Sequence, residues 1–224
     1  MAQNTAQKTA PKTASTAGRA HAPAERLSAR ERLLASAAAL FYEEGFNAVG
    51  IDRVIAHAGV AKASLYDCFG SKEELVRSYL HERHEARQAR INNGLLRFKT
   101  PRERLLGVFD LLAQLVAERN FRGCAFVKAD AQAKADSSVR AVLDESRAWM
   151  RDLFATLARE AGASDPQALA LQLVILYDGA IVSVQMDHDP AAVAAARAMA
   201  ASLLDAAVAA AAAQPAKPRP RAAR

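Results

Sequence analysis

The sequence predicts an all-α chain of about nine helices. Three observations predict it. Apolar residues recur at three- and four-residue spacing between the two chain ends. Helix-start signals repeat along that stretch. No run of alternating β-branched residues is long enough for a strand.

Ser28 with Glu31 forms a capping box, in which each side chain takes an orphan N–H of the other residue. Leu33, Leu34, Ala37, Leu40 and Phe41 follow as one apolar stripe, and Gly45 is placed to stop the helix. Ile51, Val54, Ile55 and Ala58 give about two more turns, ended by Gly59. A short helix over Ala61–Phe69 comes next. Ser71 with Glu74 is read as a second capping box, opening a helix through Leu75 and Leu80. Thr100-Pro101-x-Glu103 is a third, with Pro at the first helical position. Asp165-Pro166 and Asp189-Pro190 are two further starts, and Gly162 closes the helix holding Trp149 and Phe154. The segment 168–186 is apolar and helix-length. Gln172, Asp178 and Gln185 interrupt it, so a buried helix is expected there, with no membrane span.

Charge is uneven. The chain carries 30 Lys and Arg against 24 Asp and Glu, net +6. Residues 1–23 hold three basic groups and no acid; residues 214–224 hold four and no acid. Residues 100–213 hold 11 basic and 14 acidic groups, net −3. Basic ends fit a polyanion partner or two solvated tails. Segments 1–24 and 214–224 lack any apolar period and are expected to be disordered. The two cysteines, Cys68 and Cys124, match no metal spacing, and the first residues form no secretory signal. A cytoplasmic protein with reduced thiols is expected.

The stretch 51–69 pairs two short helices across a Gly turn, the geometry of a helix-turn-helix. Val60, Leu65 and Phe69 are expected inside. Lys62, Ala63, Ser64, Tyr66 and Asp67 are left outside. Small residues let a backbone approach a groove floor, while Lys62 and Ser64 reach phosphate or base edges. Tyr66 lies one turn on, and Lys72 enters the next helix where free amides favour a phosphate. A helical hairpin with a solvated polar face is the alternative.

These residues resemble the TetR family of bacterial transcriptional regulators. The resemblance rests on Phe41-Tyr42-x-x-Gly45-Phe46, then Ile51-x-x-Val54. It continues in Ala58-Gly59-Val60-x-Lys62-x-Ser64-Leu65-Tyr66-x-x-Phe69-x-Ser71-Lys72-x-x-Leu75. It is strongest from Leu27 to Arg87. It implies a three-helix DNA-binding head over 25–87, with 61–67 as recognition helix and a helix-turn-helix at about 50–69, followed by a larger helical body. That body, over 88–213, is implied to bind a ligand and to dimerise. DNA contact is expected from Arg53, Lys62, Ala63, Ser64, Tyr66 and Lys72. Three positions depart from the family pattern: Val49-Gly50 replaces a capping hydroxyl, Ala61 a Ser or Thr, and Cys68 a frequent His. Arg122-Gly123-Cys124-x-Phe126 resembles an element of some branches and names no ligand.

The expected partners are double-stranded DNA at a near-palindromic operator, a second copy of the chain, and an unidentified small-molecule effector. The dimer is assigned to the two C-terminal helices, 166–186 and Pro190 to about Ala213. Phe109, Phe126, Trp149, Phe154, Tyr177 and Asp178 are the candidate pocket residues, each with core packing as its alternative. Arg147 is the expected partner if Asp178 is paired within the fold. A thiol switch at Cys68 and a non-DNA interaction protein are the rival readings. No nucleophile elbow, phosphate loop or metal cluster is found, so no enzyme, metal or cofactor is expected.

Overall fold

The structure is a computed structural model that describes residues 27–213; the two expected tails lie outside the described residues. Nine α-helices and no strand occur among them. They are α1 (Ala29–Glu44), α2 (Ile51–Ala58), α3 (Lys62–Phe69), α4 (Lys72–Leu95) and α5 (Pro101–Val116). The rest are α6 (Ala125–Asp130), α7 (Ser138–Glu160), α8 (Pro166–Asp187) and α9 (Ala191–Ala213).

The local signals act as read, with three adjustments, the first being that α3 begins at Lys62 with Ala61 as its N-cap. Ser28–Glu31 and Thr100–Glu103 form complete capping boxes. At Ser71 only half of the box forms. Its hydroxyl accepts the Glu74 N–H at 3.1 Å, but the Glu74 carboxylate takes Arg77 Nε at 2.7 Å. The charge-assisted bond wins over the neutral backbone donor. The last helix begins at Ala191, one residue past Pro190, with the Asp189 carboxylate accepting the Ala191 N–H at 2.8 Å.

Two apolar cores result. The lower one gathers Leu33, Val54, Leu65, Leu75 and Leu80 from α1–α4, all fully buried, together with Ala129, Val139, Val142 and Leu143 from α6 and α7. The upper one joins the end of α4 with α5, α7, α8 and α9. Each fully buried Leu or Phe contributes about 1.5–3 kcal/mol. Phe109, Phe154 and Tyr177 form an aromatic triangle in the upper core, with ring centroids 5.9–6.2 Å apart. Only α4 and α7 reach into both cores.

α8 and α9 are each long and apolar enough to cross a membrane by length and composition, and most of the α9 segment stays uncovered. α8 buries Leu169, Leu173, Val174, Tyr177 and Ile181 within the body. Its opposite stripe, Leu171, Ile175, Val182 and Met186, is exposed.

Candidate nucleic-acid interface and ligand cavity

The turn between α2 and α3 is closed by the backbone. Gly59 takes a left-handed conformation at φ +62. Its N–H donates to Ala56 at 3.3 Å, and the Val60 N–H donates to Ile55 at 3.4 Å. This Schellman pattern satisfies the last carbonyls of α2 and turns the chain sharply. Two side-chain links then hold the pair on α1: Arg32 Nη1 donates to the Gly59 carbonyl at 3.2 Å, and His57 Nδ1 lies 3.0 Å from Ser36 Oγ.

Leu65 and Phe69 pin α3 to the head core, with Val60 half-buried beside them. Lys62, Ala63, Tyr66 and Asp67 are exposed, and Ser64 is half-buried. Thus one helix face is anchored and the other is free. α2 starts at Gly50 without a side-chain cap, as Val49-Gly50 predicts.

The exposed cations are not bare. Lys62 Nζ sits 3.0 Å from Asp52 Oδ1, and this bond raises the pKa of the ammonium. Arg53 grips both carboxylate oxygens of Glu44, with Nη2–Oε1 at 2.7 Å; that bond raises its pKa too. Lys72 is half-buried, and desolvation lowers its pKa. The acidic partners Asp52 and Glu44 were not legible as such, because each pair joins two different helices.

The body holds a cavity of about 330 Å³ between α4, α6, α7 and α8. A smaller cavity of about 160 Å³ adjoins it, and the walls of the two share Arg87, Cys124 and Phe126. Of the candidate pocket residues, Phe126 faces both, Tyr177 the smaller and Asp178 the larger. Burial pushes the Tyr177 phenol up to about 12. Asp178 pairs with Arg147, the partner the sequence offers. Phe109 and Phe154 are not in these walls; the aromatic triangle holds them in the core. Trp149 packs edge-on to His84 at 5.9 Å, just behind the wall.

Arg87 was missed. It donates through Nη2 to the Ser146 carbonyl at 3.0 Å and lies 4.4 Å over the Phe126 ring. Burial lowers its pKa. Arg83, Arg87 and Arg90 recur at four- and three-residue spacing, so all three reach one side of α4. That spacing was the available signal, but a solvated helix face has the same pattern.

Head and body are stitched directly. The Tyr42 hydroxyl donates to the Gly123 carbonyl at 3.0 Å and accepts the Arg122 N–H at 2.8 Å. Asn47 donates two hydrogen bonds to Gln132, from its backbone N–H to the side-chain oxygen and from its side-chain amide to the carbonyl, and the Ser138 N–H donates to Glu73 at 2.7 Å.

An all-α chain with an anchored helix-turn-helix defines a DNA-binding transcriptional regulator. Comparison with known proteins agrees. The family model described as "Bacterial regulatory proteins, tetR family" matches residues 33–79. A TetR transcriptional regulator from Streptomyces avermitilis is 34% identical, over 81% of this chain and 98% of that one, with a TM-score of 0.71. A TetR-family regulator from Streptomyces coelicolor is 29% identical, over 80% and 96%, at 0.74. The reduced form of Escherichia coli NemR shares the fold at 24% identity, over 78% and 97%, at 0.70. The chain belongs to the TetR family of bacterial transcriptional regulators.

Proposed function

We propose that this regulator is a homodimeric, ligand-responsive repressor, released from a near-palindromic operator when a small molecule enters the body. Residues 25–87 act as the DNA-binding unit and 88–213 as the ligand and dimer unit, in the cytoplasm. Lys62, Ala63, Ser64 and Tyr66 meet the major groove and its backbone; Arg53 and Lys72 meet flanking phosphates.

One observation carries this reading: α4 belongs to both halves. Its first turns put Leu75, Val76, Tyr79 and Leu80 into the head core, and its next turns put Arg83, Arg87 and Arg90 on the cavity wall. A helix is stiff along its axis, so a shift of α4 at the cavity moves the head with it. A ligand with different affinity for two α4 positions biases head spacing, and linkage makes DNA and ligand oppose each other.

The dimer reading is supported by the uncovered apolar stripe of α8 and the Ala-rich outer side of α9. Two helices from each copy make a four-helix interface, spacing the recognition helices about 34–36 Å apart for one DNA face. The test is selection of genomic fragments by the purified protein at two salt concentrations. A near-palindromic motif surviving the higher salt is the expected result. Binding that vanishes with salt and shows no motif would favour a basic interaction surface instead.

A further inference from the structure

We infer that the smaller body cavity takes an anionic group, and that the effector is an organic acid with an aromatic or compact apolar body. This rests on the ligand-responsive reading above and specifies its ligand class.

The argument starts from the charges on the wall. Arg83, Arg87 and Arg90 all line the cavity, and no Asp or Glu does. Arg90 is already paired, with Glu118 at 2.8 Å. Arg83 and Arg87 have no carboxylate within salt-bridge distance among the described residues. A guanidinium has five N–H donors in a fixed fork. Arg87 uses only Nη2, toward Ser146, and its Nε is buried without a partner. Arg83 Nε is likewise buried and unpartnered; its guanidinium lies 4.2 Å over the Tyr42 ring. Stacking on aromatic faces holds both groups in place but satisfies none of these donors.

Burying a cation without a counter-charge is costly, and a carboxylate can answer two donors of a fork at once. The remaining walls, Phe121, Phe126, Tyr177 and Ile181, are apolar or aromatic, so the body of the ligand meets hydrocarbon while its charge meets arginine. The larger cavity differs: Asp130, Asp144 and Asp178 stand in its wall beside Arg87 and Arg147. Asp178 is paired with Arg147 and Asp130 with Arg140, and Asp144 adds a further negative charge that an anion would meet there. The acid end is therefore placed at α4, on the residues that also direct the head.

The test uses 3-phenylpropanoate and its neutral amide, 3-phenylpropanamide, as probes on the full chain at neutral pH. Calorimetry and the fluorescence of Trp149, the single tryptophan, are read together; Trp149 lies 5.7 Å from the Arg87 guanidinium. Saturable binding of the acid, roughly tenfold or more tighter than the amide, is expected. Arg87→Gln and Arg83→Gln should each remove most of that preference, and Arg87→Lys should keep part of it. Equal binding of acid and amide, or no binding of the acid to a folded wild-type chain, overturns the inference. The wild-type comparison needs no variant, so misfolding cannot decide it. Operator release is measured in parallel. An acid that binds with this preference but leaves DNA bound keeps the anion site and sinks the ligand-responsive reading. Release by neutral compounds alone does the reverse.

Discussion

The ammonium of Lys62 on α3 lies 3.0 Å from the carboxylate of Asp52 on α2, across the turn of the helix-turn-helix. Both side chains are well exposed, so the pair is screened by salt and exchanges easily for a phosphate. Asp52 thus restrains a lysine of the face proposed for DNA and also competes with DNA for it.

Lys62→Ala is expected to weaken operator binding about tenfold and to lower the salt slope by about one counterion. Asp52→Asn should act the other way and tighten binding. Tyr66→Phe should weaken binding without altering helicity. Anisotropy titrations across a salt series check all three; wild-type behaviour in Lys62→Ala and Tyr66→Phe would remove this face from the DNA interface.

The aromatic triangle should behave as core. Phe109→Ala and Phe154→Ala are each expected to cost about 3–5 kcal/mol in urea unfolding, because each leaves a cavity the neighbours cannot refill. Ligand affinity measured on the folded fraction should change little. The reverse pattern, stable protein with lost ligand binding, would put these rings in the pocket wall.

His84 gives the body a sensitivity to acid. Its side chain is 2% exposed, and burial, then the nearby Arg87 charge, lowers its pKa below the ordinary 6.5. Glu145, 3.9 Å from Nε2, opposes this only weakly. The unfolded chain therefore binds a proton that the folded chain refuses. Stability from this group is full above about pH 6.5 and falls as pH drops toward the lowered folded value. His84→Gln should flatten that fall in unfolding curves between pH 7 and 5; an unchanged slope would assign the acid response to other groups.

Ile175→Asp and Met186→Asp place charges on the uncovered stripe of α8. Each should convert the proposed dimer to monomer in light scattering and weaken operator binding, while helicity stays unchanged. A variant that remains dimeric would move the interface elsewhere.

Gly123 joins a positive φ of +89 to a carbonyl that accepts the Tyr42 hydroxyl. A Cβ there would also lie 2.1 Å from Gln185 Oε1. Gly123→Ala should cost about 1–3 kcal/mol through backbone strain, measured by denaturant unfolding. No loss would show that the head–body seam can relax around it.

The sequence by itself determined the helices and the helix-turn-helix. Ser28–Glu31, Thr100–Glu103 and Gly59 act within three or four residues, so their chemistry is complete in a short window. The anchored and free faces of α3 followed from the same local periodicity. The Asp178–Arg147 pairing was on offer in the sequence, but only the packing of α7 on α8 shows that the pair forms at the half-exposed edge of the body. Tertiary structure alone decided which aromatics are wall and which are core. Phe109 and Phe126 look alike in sequence, yet one is enclosed by two rings and the other faces two cavities. It also decided the role of Arg87, whose hydrogen-bond partner Ser146 is 59 positions away. The Lys62–Asp52 and Arg53–Glu44 pairs belong with it, because only the crossing of two helices brings those charges together. Burial and charge pairing are properties of the packed assembly, and no short window of sequence contains the neighbours that set them.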